Sequence, residues 1–129
     1  MHNHGYKGRK FSRERDQRRA LLRGLASSLV IYKSIETTLP KAKELVRHIE
    51  KLITKAKKAD LANRRLVMSK LSREAAVELC DHIAPNLTKR NSGHVRVFKT
   101  RVRVGDGAQM ARIEFVDDIP SKKEEKVNE

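Results

Sequence analysis

The apolar positions of the chain repeat with a helical period in its first two thirds and with a period of two in its last third. Four leucines between residues 21 and 29 fall on one face of a helix. Ser12 precedes this segment as a candidate N-cap, and Glu14 and Asp16 would lie in the first helical turn, where negative charge is favoured. The pattern predicts a helix from residue 13 to about residue 32.

A short alternating run separates this helix from the strongest helical signal. Ser34–Leu39 alternates β-branched or apolar residues with polar ones and is stopped by Pro40, which predicts a strand. Proline suits the first turn of a helix. The apolar residues that follow recur at three- and four-residue steps: Ala42, Leu45, Val46, Ile49, Leu52, Ile53 and Ala56. This periodicity predicts a long amphipathic helix after Pro40.

Two shorter helices are expected next. Asp60 can cap a helix from Leu61 to about Leu71, and Ser72 can cap another from Arg73 to about Ile83. Pro85 would end the helical part, because proline cannot continue the hydrogen-bond ladder. The sequence Asn-Ser-Gly at residues 91–93 then predicts a loop.

The final ordered segment is predicted to be a β-hairpin. VRVFKTRVRV (95–104) and QMARIEFV (109–116) alternate with a period of two around the turn at residues 105–107. The apolar phase of the first strand slips from odd to even positions, which predicts a bulge near Phe98. Beyond it, one face is expected to carry Lys99, Arg101 and Arg103.

The register of this hairpin is predicted from its apolar residues. Aligning them requires a loop with an even number of residues. Phe98 then lies opposite Phe115, Lys99 opposite Glu114 and Val102 opposite Ala111.

These elements indicate an α+β protein with a compact helical body and a small mixed sheet, formed by the short strand plus the C-terminal hairpin. Residues 1–11 contain two glycines and little that is apolar, and we expect a basic, extended arm. Residues 12–117 form the single predicted domain. Residues 118–129 carry both signs of charge with few apolar residues, which predicts a disordered tail.

The charge distribution narrows the class of partner. The chain has a net charge of +14 over 129 residues. Residues 1–23 hold eight basic residues against two acidic ones, whereas residues 117–129 hold three against five, so the rest of the chain carries +16. Such an excess favours a polyanionic partner. The longest uncharged stretch, Gly24–Tyr32, is far shorter than the roughly 20 apolar residues of a membrane span, so we expect no membrane partner.

The types of side chain favour contacts to the phosphate backbone of a nucleic acid. Arginine, which can grip phosphate with two donors, dominates the arm and the hairpin. Aromatic residues make up only 4% of the chain, and tryptophan is absent from the sequence, so few side chains are available for base stacking. Phosphate, sugar and shape contacts to a folded RNA are therefore expected to dominate.

Several blocks of sequence resemble one family. These are GRKFSRERDQRRALLRGLASSLV (8–30), IETTLPKAKELVRHIEKLITKAKK (35–58), ANRR (62–65) and VGDGAQMARIEFV (104–116). In order and spacing they resemble bacterial large-subunit ribosomal protein seventeen. The resemblance implies a structural constituent of the cytoplasmic ribosome that binds large-subunit ribosomal RNA near the exit of the polypeptide tunnel. Its implied partners are that RNA and neighbouring large-subunit proteins.

The resemblance also implies a set of RNA-binding positions. By matching residues, these are Lys7, Arg9, Lys10, Arg13, Arg18, Arg19, Arg23, Thr37, Thr38, Lys41, Lys43, Arg64 and Arg65. The concentration of arginine in the arm and hairpin adds Arg15, Arg96, Lys99, Arg101 and Arg103.

The sequence gives little support to catalysis or metal binding. His48, His82 and His94 are scattered and are interpreted as surface or capping residues, while Cys80 has the neighbours of a small buried hydrophobe. We therefore expect neither an enzyme nor a metal, cofactor or small-molecule substrate.

Two alternative functions remain to be compared. A DNA-binding protein could use the third and fourth helices as a helix-turn-helix, but the densest charge lies elsewhere. A hydrolase or transferase of small phosphates would need a glycine-rich phosphate loop or paired carboxylates, which the sequence lacks.

Overall fold

The structure, a computed structural model, describes residues 4–120. The predicted start of the arm at residues 1–3 and most of the predicted tail, residues 121–129, lie outside the described residues. The elements in chain order are α1 (Arg15–Tyr32), β1 (Ser34–Thr38), α2 (Leu39–Lys58), α3 (Leu61–Lys70), α4 (Arg73–Glu78), β2 (Val95–Val102) and β3 (Gln109–Phe115). The α+β class is confirmed.

The three strands within residues 4–120 form one sheet in the order β1-β3-β2, with β3 in the centre. Both pairings are antiparallel, so the sheet is not mixed as predicted. On β3, Ile113 pairs with Ile35 on one side and with Val97 on the other. Because neighbouring strands place paired residues on the same face, these side chains form an apolar stripe directed at the helices.

The predicted hairpin register is wrong. Val95 pairs with Phe115, Phe98 with Arg112 and Lys99 with Ala111, and the register then shifts before Val102 pairs with Gln109. A bulge is therefore present, as predicted, but it follows Lys99 instead of lying at Phe98. The extra residue in β2 moves the even-numbered apolar residues beyond it to the face of the odd-numbered ones. The length of the loop therefore does not have to align them.

The bulge also separates three cations that were predicted to share a face. Lys99 pairs with the fully buried Ala111 and so belongs to the helix-facing side of the sheet. The Arg101 side chain donates to Glu36, which pairs with Arg112 on the opposite, exposed side. The predicted common face of Lys99, Arg101 and Arg103 is therefore wrong for Lys99.

The hydrophobic core lies between α2, the sheet and the other helices. Leu45, Ile49 and Ile53 of α2 are fully buried and pack with Leu29 of α1 and Leu79 beyond α4. Burial of each such side chain contributes about 1.5–3 kcal/mol. The buried core residues that the structure describes run from Ala26 to Phe115, so residues 4–11 of the arm lie outside the core.

The helix ends agree only partly with their predicted caps. Asp60 accepts a 2.7 Å hydrogen bond from the Asn63 backbone, and Ser72 accepts one of 3.4 Å from the Ala75 backbone, which confirms both caps. Ser12 is not a cap, because α1 begins later and its N-cap residue, Glu14, makes no side-chain cap bond.

The fourth helix is shorter than predicted. It ends at Glu78 and continues as a π-helical turn over Leu79–Ile83 and a 3₁₀ turn over Ala84–Asn86. Pro85 has no N–H and its ring crowds the carbonyl four residues earlier, which accounts for the change of helical pitch before it.

A buried polar network joins α2 to the start of β2. His94 is fully buried, so its interpretation as a surface or capping residue is wrong. Its Nδ1 lies 2.9 Å from Glu50 Oε2 and its Nε2 lies 3.2 Å from Lys57 Nζ. Because the Lys57 ammonium can only donate, Nε2 accepts and Nδ1 donates its proton to Glu50. The other Glu50 oxygen accepts from the Val95 backbone at 3.1 Å.

Candidate nucleic-acid interface

The described part of the arm folds back onto the body without forming a helix or strand. The Tyr6 ring lies beneath two cations, with the Lys10 Nζ 5.1 Å and the Arg18 guanidinium carbon 5.4 Å from its centroid. Gly8 has φ +114°, and a Cβ there would lie 2.6 Å from Glu44 Oε1 on α2. The positive φ favours glycine at this turn, whereas the flexible Glu44 carboxylate could move away from a larger side chain.

The cations of residues 7–23 lack carboxylate partners. Within residues 4–120, no ion pair involves the eight basic residues Lys7, Arg9, Lys10, Arg13, Arg15, Arg18, Arg19 and Arg23. Arg13 donates to the Phe11 carbonyl and Arg23 to the Leu71 carbonyl, each at 3.0 Å. We call these eight residues the arm cations. Their charge is left available to an external anion.

Four further predicted residues lie near the start of α2. Thr37 and Thr38 end β1 and are half-buried, while Lys41 is half-buried and Lys43 is exposed in the first turns of α2. Gly8 approaches Glu44 in the same part of the helix. The two lysines have no ion pair in the described part of the chain, so they extend the unpaired charge of the arm cations.

Of the two predicted RNA-binding arginines of α3, one is paired with a carboxylate and the other is not. Arg64 forms a two-pronged pair with Asp81, with nitrogen–oxygen distances of 2.6 and 3.3 Å. The hydrogen bond raises the pKa of the Arg64 guanidinium and lowers the pKa of the Asp81 carboxyl. Arg65 is exposed and has no such pair among residues 4–120. Only Arg65 therefore presents an uncompensated charge.

The hairpin arginines are neutralised by nearby carboxylates. Ion pairs join Arg96 to Glu114, Arg101 to Glu36 at 2.9 Å, and Arg103 to Asp106 at 2.6 Å. Arg103 and a backbone hydrogen bond from Ala108 hold the pKa of Asp106 far below its usual range.

Two other cations of the hairpin differ from these. Lys99 is exposed without an ion pair in the described chain. Arg112, which the sequence prediction omitted, lies 5.9 Å above the Phe98 ring centroid. Its position on β3 opposite Phe98 could have been identified only from the correct register.

Two residues outside the predicted set line a cleft together with two arm cations. The cleft lies between α1, α2 and the end of α3 and is lined by Arg19, Arg23, His48 and Lys70, among others. His48 is half-buried, and burial, followed by the charges of Lys70 and Lys51, lowers the pKa of its imidazole. The sequence led to an interpretation of His48 as a surface or capping residue and gave no sign of the cleft.

The remaining candidate chemistry is limited. Among residues 4–120, no group of three histidine, cysteine or carboxylate side chains is arranged to hold a metal ion, and no helix is long and apolar enough to cross a membrane. Cys80 is only partly buried, although it packs against the core as expected, and burial raises the pKa of its thiol.

Comparisons with known proteins agree on one family. A model of the family described as Ribosomal protein L17 matches residues 21–116. A protein named large ribosomal subunit protein bL17 from Nautilia profundicola is 49% identical over 120 residues, covering 89% of this chain and 97% of the relative. Its namesake from Campylobacter fetus subsp. fetus is 50% identical over 116 residues, with the same coverage. That from Thermodesulfovibrio yellowstonii is 47% identical over 122 residues, covering 94% of this chain and 92% of the relative.

Proposed function

The chain belongs to the ribosomal protein L17 family, a family of structural ribosomal proteins, and from this membership we propose that it binds and stabilises large-subunit ribosomal RNA. The RNA partner, neighbouring large-subunit proteins and a position near the polypeptide exit tunnel are parts of this proposal. The protein acts as a scaffold in the cytoplasmic ribosome and not as an enzyme.

The observation that carries the proposal is the unequal pairing of positive charge. The arm cations have no carboxylate partners in the described chain, whereas Arg64 and the hairpin arginines Arg96, Arg101 and Arg103 each have one. Phosphate binding to the arm cations therefore breaks no existing ion pair. Phosphate binding to the hairpin arginines must first break their ion pairs. Because an exposed ion pair contributes only about 0.2–1 kcal/mol, this cost is small, and the hairpin is a second but weaker contact surface.

A folded RNA fits this surface better than a DNA duplex does. The arm is a narrow, irregular segment and can follow phosphates that converge between RNA helices. A helix-turn-helix reader would instead need an exposed recognition helix with free cations. The fourth helix spans only Arg73–Glu78 before the π-helical turn, and Arg64 of the third helix is bound to Asp81.

The proposal is tested by the salt dependence of RNA binding. We expect the double variant Lys7→Gln/Arg9→Gln to lower the slope of log affinity against log salt by about 2, since each lost phosphate contact lowers it by about 1. The matched variant Lys58→Gln/Lys89→Gln removes two other exposed charges and should leave the slope unchanged.

The RNA in this experiment is a transcript of large-subunit ribosomal RNA, with duplex DNA as competitor. We expect large subunits to retain the protein at moderate salt and to release it at high salt. A flat salt slope, or equal competition by duplex DNA, would contradict the proposal.

A further inference from the structure

The cleft between α1, α2 and the end of α3 has the charge of an anion site. Its volume is about 510 Å³. Arg19, Arg23 and Lys70 supply three positive charges to its lining against the single carboxylate of Asp16. The Arg23 guanidinium is fixed by its 3.0 Å hydrogen bond to the Leu71 carbonyl, so part of the lining is already organised.

The imidazole of His48 provides the second, independent observation. Its Nε2 atom is buried and has no hydrogen-bond partner among the described residues. A buried polar atom of this kind is costly unless a ligand or water satisfies it. The charged groups that act on His48 are Lys70, Lys51 and, with the opposite sign, Glu44. Because burial and the two lysines lower its pKa, His48 is neutral near pH 7 and has one ring N–H to donate.

We propose that this cleft holds one phosphate group of the RNA backbone, with His48 Nε2 donating to a phosphate oxygen and Arg19, Arg23 and Lys70 supplying the charge. The inference deepens the proposed function and rests on it. The cleft also continues the surface of the arm. Gly8 lies beside Glu44, one turn before His48 on α2, and two of the arm cations, Arg19 and Arg23, line the cleft itself.

A second cleft of similar size has a different balance of charge. It has a volume of about 610 Å³, and its lining holds Lys33 and Arg73 together with Glu74 and Glu78, so positive and negative charges are equal in number. Lys33 is also bound to Glu78 by a 2.8 Å ion pair. Size alone therefore does not select the phosphate site, whereas the excess of positive charge beside His48 does.

The first test uses inorganic phosphate and the full chain. The ring nitrogens of His48 are followed by NMR during a phosphate titration, with sodium chloride keeping the ionic strength constant. We expect a saturable shift of the ring signals and a rise in the pKa of His48, because a bound anion favours the imidazolium. Lys70→Ala should weaken phosphate binding about tenfold, as expected for one charge-assisted hydrogen bond.

The exposed Lys58 serves as the matched control, and Lys58→Ala should leave the titration unchanged. Both lysines are exposed, so neither variant disturbs the core. Ring signals that do not respond to phosphate, or that shift equally in wild type and Lys70→Ala, would overturn the site.

A parallel RNA measurement separates this inference from the proposed function. We expect Lys70→Ala to lower the salt slope of binding to the large-subunit transcript by about 1. RNA binding with an unchanged slope would overturn the phosphate site and leave the proposed function intact. Saturable phosphate binding without any RNA binding by the wild type would support an anion site and overturn the proposed function together with its RNA backbone ligand.

Discussion

Two histidines of this protein differ in the hydrogen bonding of their ring nitrogens. His94 is fully buried with both ring nitrogens engaged, whereas His48 has a buried nitrogen without a partner in the described chain. The sequence could not distinguish them, because each environment depends on contacts across the fold. His94 meets α2 through the loop before β2, and His48 faces α1 and the end of α3.

The turn of the hairpin gives a pH-dependent prediction. The Arg103 side chain lowers the pKa of Asp106 from its ordinary value of 3.8. The Arg103–Asp106 interaction therefore stabilises the fold above about pH 4 and is lost only as the pH falls through the lower folded-state pKa. Carbon NMR of the Asp106 carboxyl should show a titration midpoint well below 3.8. Arg103→Gln should raise that midpoint, and an unchanged midpoint in this variant would contradict the pairing.

Helices were predictable as elements because their patterns are local. The apolar repeat located α2, and the Asp60 and Ser72 caps located the starts of α3 and α4. The hairpin register was not predictable, since it depends on a bulge after Lys99 and on contacts of β2 and β3 with helices distant in sequence. Among the binding candidates, sequence gave charge and position but not which arginines are paired with carboxylates.

The helix caps give a prediction at this scale. Asp60→Ala should lower the free energy of unfolding by about 1 kcal/mol, because the Asn63 backbone N–H loses its acceptor. Ser12→Ala should change it by less than about 0.5 kcal/mol, because Ser12 lies outside α1 and caps nothing. Urea unfolding followed by circular dichroism measures both. Equal losses in the two variants would contradict the assigned helix starts.

The molecule as a whole separates its stable core from its binding surface. The described part of the arm supplies Lys7, Arg9 and Lys10 but no buried core residue, and no lysine or arginine is buried among residues 4–120. A change in the arm should therefore leave the free energy of unfolding largely intact, and a change in the core should leave RNA binding by the folded protein largely intact. This division could be predicted from the sequence for residues 1–11, which are basic with few apolar residues, but not for α1, which carries both arm cations and core residues.

Two variants test this separation. Deletion of residues 1–11 should change the free energy of unfolding by less than about 1 kcal/mol while lowering the salt slope of RNA binding by about 3. Ile49→Ala should do the reverse, lowering the free energy of unfolding by about 2–5 kcal/mol while preserving the slope, because Ile49 is fully buried. Urea unfolding and RNA titration below the melting temperature measure both. Loss of folding on arm deletion would contradict the separation.

The strand order has a consequence for synthesis of the chain. β1 and β2 both pair with β3 and not with each other, and β3 is the last strand to be translated. During synthesis, β1 and β2 have no strand partner until β3 has been made, so both strand pairings form late. The first strand waits longest, since Ile35 meets its partner Ile113 only after almost the entire domain has been made. A nascent chain halted before residue 109 thus lacks the strand with which both β1 and β2 pair.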